Sequence, residues 1–215
     1  TYKSQHRGGR GISGMTTREE DFVEQLFTTS THDTLLFFST RGMVYRLKGY
    51  QIPEAGRQAK GTAIVNLLPL ESGEKITAMI PVREFEEGKY LTFITRNGTI
   101  KKTDLMDYSR IRSGGLRAIE LVEGNELIKV ELTDNSQNII IGTHDGMAIR
   151  FSENDVRPMG RTTRGVRGIS LRDGDYVIGA CIADPDAKLL VVTENGYGKK
   201  TALDEYKVQS RGGKG

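Results

Sequence analysis

The sequence predicts an all-β fold, a propeller-like array of about four blades with four strands each. Three observations point there. Glycine is abundant, 26 of 215 residues, and aromatic residues are only 7%, a balance that suits many tight turns better than helices. Four segments resemble one another: LLFFSTRGMVYRLKGY (35–50), LTFITRNGTIKKTDLMDY (91–108), IIIGTHDGMAIRFSENDV (139–156) and LLVVTENGYGKKTALDEY (189–206). Their turn glycines, Gly42, Gly98, Gly146 and Gly196, stand 56, 48 and 50 residues apart, a period typical of radial β-repeats.

The elements follow in order. Residues 18–27 (REEDFVEQLF) read as partly helical, although their apolar spacing also suits a strand. Each of the four similar segments reads as a hairpin: a β-rich run, a turn ending in glycine, then a second run with basic residues. Asn97-Gly98, Asp145-Gly146 and Asn195-Gly196 have the chemistry of a type I′ turn, in which both central residues take positive φ, and Arg41-Gly42 fits that turn less well. Apolar stretches precede three hairpins: KITAMIPV (75–82), ELIKVELT (126–133) and YVIGACIA (176–183). Short strands are expected after the basic loops: TAIVNLL (62–68), LRAIELV (116–122) and VRGISLR (166–172). Counted this way, one domain over 1–215 contains repeats at 18–70, 75–122, 126–172 and 176–215. Tyr50, Tyr108 and Tyr206 read as one corresponding position after three hairpins, which suggests packing. Cys181 lies in an apolar stretch and reads as core.

Net charge is only +3, but its distribution is uneven. Residues 1–14, 56–61, 110–117, 157–167 and 207–215 hold 15 of the 31 bases and none of the 28 acids, so the rest of the chain nets −12. These Gly-rich stretches carry Arg57 and Lys60; Arg110, Arg112 and Arg117; Arg161, Arg164 and Arg167; Arg211 and Lys214. A second row follows the second strand of each hairpin: Arg46, Lys48, Lys101, Lys102, Arg150, Lys199 and Lys200. Any one of these alone would read as a solvated edge charge. Recurring in phase with the blades, they predict a surface for a polyanion. Glycine lets the main chain approach phosphate closely, and guanidinium forks match phosphate oxygens. DNA is favoured over a membrane, because the bases are spread around a repeat and not gathered on one amphipathic helix. Contacts are expected to be mainly to phosphate, with little sequence preference and steep salt dependence.

Other classes are excluded or disfavoured. No apolar run approaches the roughly 20 residues of a membrane span, and the opening TYKSQHRGG lacks the apolar core of a signal peptide. A single cysteine forms no internal disulfide, which suits a reducing cytosol. There is no Gly-x-x-x-x-Gly-Lys-Ser/Thr phosphate loop. His6, His32 and His144 form no His-Glu-x-x-His motif and have no cysteine partner for zinc. No catalytic constellation, metal site or cofactor site is expected.

The stretch Gln5-His6-Arg7-Gly8-Gly9-Arg10-Gly11 closely resembles the box motif that marks the C-terminal domain of the A-type chain of bacterial DNA gyrase. The resemblance continues through EEDFVEQLFTTSTHDTLLFFSTRGMVYRLKGYQIPEAGR, VNLLPLE, DVRPMGRTTRGVRGISLRDGD and TENGYGKKT, and covers essentially the whole chain. It implies a β-pinwheel, a ring of blades that exchange strands, whose outer rim wraps double-stranded DNA. It implies that Arg7 and Arg10 grip phosphates while Gly8, Gly9 and Gly11 shape the loop, and that wrapping enables negative supercoiling. It implies no catalysis within this chain. ATP and Mg2+ would be used elsewhere in the enzyme, with the rest of gyrase A and its partner gyrase B completing a cytoplasmic, nucleoid-associated A2B2 assembly. QSRGGKG (209–215) is a close cousin of the box. The chain departs from the family pattern in three ways. His6 stands where the family often has a base. Four blades are counted where five or six are usual. No upstream cleavage domain with its active-site tyrosine is present, and Tyr2 is not that residue, so a fragment is expected. The alternatives are the corresponding C-terminal domain of topoisomerase IV, whose box is degenerate, and a propeller-like platform for protein partners.

Overall fold

The computed structural model describes residues 4–11, 13–15 and 26–215. The helix-like stretch 18–27 lies outside the described residues up to 25, and residues 26–27 have no regular structure. Among the described residues no helix is long and apolar enough to cross a membrane.

The chain runs through β1 (Thr34–Ser39), β2 (Met43–Lys48), β3 (Ile76–Val82), β4 (Tyr90–Thr95), β5 (Thr99–Asp104), β6 (Leu116–Arg117) and β7 (Leu127–Thr133). It continues through β8 (Asn138–Thr143), β9 (Ala148–Ser152), β10 (Val166–Arg167), β11 (Val177–Ile182), β12 (Lys188–Val192) and β13 (Gly198–Ala202). β1–β2, β4–β5, β8–β9 and β12–β13 are the four expected hairpins.

Their turns are not type I′. In each, only the glycine has positive φ: 78° at Gly42, 78° at Gly98, 83° at Gly146 and 81° at Gly196. Its N–H donates to the carbonyl three residues back, on Ser39, Thr95, Thr143 and Thr193. This is a type I turn closed by a glycine bulge. It asks nothing special of the residue before the glycine, so Arg41 serves as well as Asn97. The hydroxyls of Ser39, Thr95 and Thr143 accept from the N–H groups of Met43, Thr99 and Met147 and brace the bulge.

Strands are shared between successive repeats. The sheet orders are β3-β1-β2-β6, β10-β5-β4-β7, β11-β8-β9 and β12-β13. β3 pairs with β1, ahead of it, and not with β4, which follows. After building β4–β5 the chain returns to lay β6 along β2, with Arg117 opposite Met43. β7 and β10 flank the second hairpin in the same way. A sheet therefore takes its hairpin from one sequence repeat and its outer strands from the next. The expected strand at 62–68 is absent: Ile64–Asn66 form a 3-10 turn, and the described residues contain no hairpin from an earlier repeat to offer it a partner. The segments 116–122 and 166–172 contribute only two-residue strands. Beyond them the N–H groups of Ala118 and Ile119 converge on the Gly42 carbonyl, and those of Gly168 and Ile169 on Gly98.

Alternate residues of β1 enter different cores, as strand geometry requires. Leu36 and Phe38 join a cluster with Leu91, Phe93 and Tyr108 of the next repeat and Val130 of the one after. Leu35 and Phe37 face a second cluster with Tyr45, Leu47 and Leu68. A third cluster packs Ile94 and Ile100 against Ile139, Ile149 and Phe151. Sheets thus stack through shared apolar layers, with Phe38 edge-on to Phe93 at 5.5 Å. Tyr108 is fully buried, and its hydroxyl donates to the Ala118 carbonyl at 2.9 Å. Tyr206 lies at the same ten-residue distance from its turn glycine, but Tyr50 lies eight residues from Gly42 and is 65% exposed. Tyr50 is therefore not equivalent to the other two. Cys181 sits half-buried on β11, and burial pushes its thiol up.

Candidate nucleic-acid interface

Five basic loops end in a glycine with positive φ: Gly11 at 71°, Gly61 at 75°, Gly115 at 84°, Gly165 at 94° and Gly215 at 84°. Successive glycines are separated by 50, 54, 50 and 50 residues. Aligned on them, four loops share one frame. A base stands four residues before the glycine (Arg7, Arg57, Arg161, Arg211) and another stands one before it (Arg10, Lys60, Arg164, Lys214). The loop ending at Gly115 differs, with Arg110 five and Arg112 three residues before it. The backbone repeats as well. Gly9 N–H donates to His6 at 3.2 Å, Ala59 to Gly56 at 2.9 Å and Thr163 to Gly160 at 3.3 Å. Each is a β-turn with the first base at its leading corner. The Gln5–Gly11 motif is therefore one instance of a repeated loop, a frame that aligning the loops on their last glycine reveals in the sequence.

Three of these glycines are seated on hairpins. An added Cβ at Gly115 would fall 2.5 Å from the Tyr45 ring, at Gly165 2.4 Å from the Ile100 carbonyl oxygen, and at Gly215 2.7 Å from that of Ala148. The close approach locks each loop against the second strand of the hairpin one repeat earlier: β2, β5 and β9. Gly8 and Gly11 face open space.

The expected contact residues divide into two groups. Gln5, His6, Arg7, Gly8, Gly9, Arg10 and Gly11 are exposed. So are Arg46, Lys60, Arg110, Arg112, Arg164, Arg167, Lys199, Lys200 and Lys214, whose side chains make no hydrogen bond or ion pair among the described residues. Arg57 and Arg161 are half-buried, and their side chains likewise have no such partner among the described residues. The remainder have partners within the chain. Arg117 pairs with Glu120 at 3.4 Å, and Lys48 donates to Thr34 Oγ1 at 2.9 Å. Arg150 donates to the carbonyls of Leu203 at 2.6 Å and Tyr206 at 3.3 Å. Arg211 donates to those of Asp155 at 2.9 Å and Arg167 at 2.6 Å.

Lys101 and Lys102 are a correction to the expected rim. They are 0% and 1% exposed. Lys101 Nζ donates to the carbonyls of Ala118, at 2.6 Å, and Arg161, and it lies 5.2 Å from the centre of the Phe93 ring. Lys102 Nζ donates to Asn135 Oδ1 at 2.6 Å and the Glu153 carbonyl at 3.0 Å. Both are interior cross-links because the second sheet is covered on both faces. Burial pushes the Lys101 ammonium down to about 7, with Arg161 adding to the effect, and burial also lowers Lys102. Lys199 and Lys200 occupy the same hairpin positions and stay exposed, since the sheet formed by β12 and β13 has no further strands among the described residues.

Five arginines, Arg46, Arg110, Arg112, Arg117 and Arg161, converge on one cavity of about 810 Å³. Elsewhere His144, Asp145 and Asp175 bring ligand-type atoms within 4.8 Å of one another. There Asp175 Oδ1 accepts from the N–H groups of Asp145 at 3.0 Å and Tyr176 at 2.8 Å, which ties a hairpin turn to the start of β11.

A sequence model of the family described as DNA gyrase C-terminal domain, beta-propeller, matches residues 1–30, 33–83, 89–134, 137–180 and 187–215. The last four segments each open at a hairpin, the phase in which the sheets are assembled. The A-type gyrase chain of Staphylococcus epidermidis (strain ATCC 12228 / FDA PCI 1200) is 53% identical over 218 residues, covering 100% of this chain and 24% of that protein. The chain spans about a quarter of the length of this curated relative. The solved C-terminal domain of DNA topoisomerase IV superposes with a TM-score of 0.80 at 33% identity, covering 86% of this chain and 58% of that one. The solved DNA gyrase A C-terminal domain superposes with a TM-score of 0.79 at 28% identity, covering 100% of this chain and 69% of that one.

Proposed function

Because the chain belongs to the DNA gyrase C-terminal domain family, we propose that it binds double-stranded DNA with little sequence preference and wraps it along its basic loops. The repeated loop frame carries this reading: in four of five loops spaced about 50 residues apart, bases stand four and one residues before a positive-φ glycine, and those one before it (Arg10, Lys60, Arg164 and Lys214) are all exposed. A path of regularly spaced cations suits a duplex, whose charge is itself periodic. Bending DNA tightly costs several kcal/mol, since its persistence length is about 150 bp, and many phosphate contacts offset that cost. Arg7 and Arg10 grip the DNA at the Gln5–Gly11 loop, the remaining exposed bases hold the path, and Lys101 and Lys102 only support it. The chain supplies no catalytic group and uses no cofactor of its own. It serves a type II topoisomerase in the cytoplasm that consumes ATP with Mg2+ elsewhere, together with the rest of gyrase A and with gyrase B. The solved topoisomerase IV domain favours a second reading, wrapping on behalf of that enzyme. The intact Gln5–Gly11 motif and the higher identity to a gyrase chain favour the first.

The test pairs a salt-dependent duplex titration with topoisomer analysis of nicked circles religated in the presence of the chain, comparing it with Arg7→Ala/Arg10→Ala. A steep salt slope, about −0.9 per phosphate contacted, and a linking-number shift abolished in the variant are expected. No duplex binding at moderate salt would sink the proposal and favour a protein partner instead.

A further inference from the structure

The arginine-lined cavity has a chemistry that a duplex alone does not use. Arg46 comes from β2, Arg110 and Arg112 from the loop into β6, Arg117 from β6 itself, and Arg161 from the loop ahead of β10. Met43, Ile111 and Leu116 supply apolar wall, and no carboxylate lines the cavity among the described residues. Of the five arginines only Arg117 has an ion-pair partner among the described residues, Glu120. The frame of the cavity is held: Ile111 belongs to a buried cluster and half-buried Leu116 packs against it, Gly115 is seated on Tyr45, and Lys101 clasps the Arg161 carbonyl. Like charges gathered in a concavity with low-dielectric walls repel one another and concentrate the field on an anion that enters. A volume of about 810 Å³ is that of a small-ligand site. A duplex carries its phosphates on a convex surface, one per about 3.4 Å of helix axis on each strand. A slender chain of phosphates can lie along such a concavity, within reach of several guanidinium forks.

We infer that this cavity binds a linear polyphosphate chain, either free or as the 5′ end of a nucleotide, and that its occupant competes with DNA. The competition rests on the DNA-wrapping reading; the binding does not.

Calorimetric titration of the 215-residue chain with tripolyphosphate, ATP, orthophosphate and adenosine tests this, at about 0.15 M salt so that scattered surface charges are screened. One saturable site is expected for tripolyphosphate and ATP, with orthophosphate and adenosine at least tenfold weaker. Equal affinity for the first two assigns the phosphate chain as the ligand, and tighter ATP assigns the nucleotide; both support the inference. Arg46→Gln/Arg112→Gln removes two exposed side chains without internal partners among the described residues, so the fold is retained. It is expected to weaken tripolyphosphate at least tenfold, about 1.4 kcal/mol. Arg57→Gln/Lys60→Gln, outside the cavity, is expected to leave tripolyphosphate binding unchanged. Binding that never saturates, or an equal loss in both double variants, overturns the inference. Displacement of a labelled duplex separates the two readings. If the duplex binds and tripolyphosphate does not, the cavity inference fails while DNA binding stands. If tripolyphosphate binds at one site and no duplex does, the DNA reading and the competition fail and the polyphosphate site stands.

Discussion

Gly165 rests directly on Ile100: a methyl group at Gly165 would sit 2.4 Å from the Ile100 carbonyl oxygen, at a φ of +94° that side chains avoid. Conformational strain and overlap with main chain add, so Gly165→Ala is expected to lose about 3 kcal/mol or more in urea unfolding. Gly11 also has positive φ but nothing within 4 Å of its would-be Cβ. Gly11→Ala is expected to lose only the strain, about 1 kcal/mol.

Lys101 makes stability depend on pH. Burial lowers its folded-state value to about 7 from the ordinary 10.5. Between those values the unfolded chain holds the proton more tightly, so stability rises with pH across that window. The penalty for burying the ammonium is fully present below about pH 7. The urea midpoint is expected to climb between neutral pH and about pH 9, and Lys101→Met is expected to flatten the climb. A parallel climb in both proteins would refute the assignment to Lys101.

Interior and surface lysines separate by assay. Lys102→Met removes hydrogen bonds to Asn135 and Glu153 and is expected to cost about 1–3 kcal/mol while leaving the salt dependence of DNA binding unchanged. Arg57→Ala/Lys60→Ala is expected to do the reverse: a salt slope shallower by about 1.8, at about 0.9 per phosphate, and a stability within about 0.5 kcal/mol of the parent.

Tyr108 provides a hydrogen bond and much apolar bulk at one buried point. Tyr108→Phe keeps the ring and leaves the Ala118 carbonyl its second donor, Lys101. It is expected to lose about 1 kcal/mol. Tyr108→Ala opens a cavity beside Phe93 and is expected to lose about 3–5 kcal/mol in the same unfolding assay.

The hairpins are legible in the sequence because their signals are local: alternating residues and a glycine at fixed register. The pairing of β3 is not, because one repeat's strand pattern suits its own hairpin and the preceding one equally well. The choice between them lies in the core, where Phe38 of one repeat needs Phe93 of the next. The turn type differs from expectation because Asn-Gly signals type I′ only when the loop has two residues, and here it has three. Lys101 and Lys102 carry a readable warning. Adjacent strand residues point to opposite faces, so both could not lie on one rim. What the sequence does not show is that both faces of β5 are covered. Most loop bases are exposed, as their Gly-rich setting predicts. Arg211 is not separable from them in the sequence, because its carbonyl partners on Asp155 and Arg167 come from a distant turn and a distant strand.

Strand sharing also sets an order of events during synthesis. β2 leaves the ribosome with one edge bare, and its partner at Arg117 follows 74 residues after Met43. β5 waits 66 residues, from Ile100 to Val166. The first two hairpins are therefore left half-finished until the repeat that follows each has been translated. No single repeat is an independent folding unit; maturation advances like a zipper, always one tooth behind the growing chain.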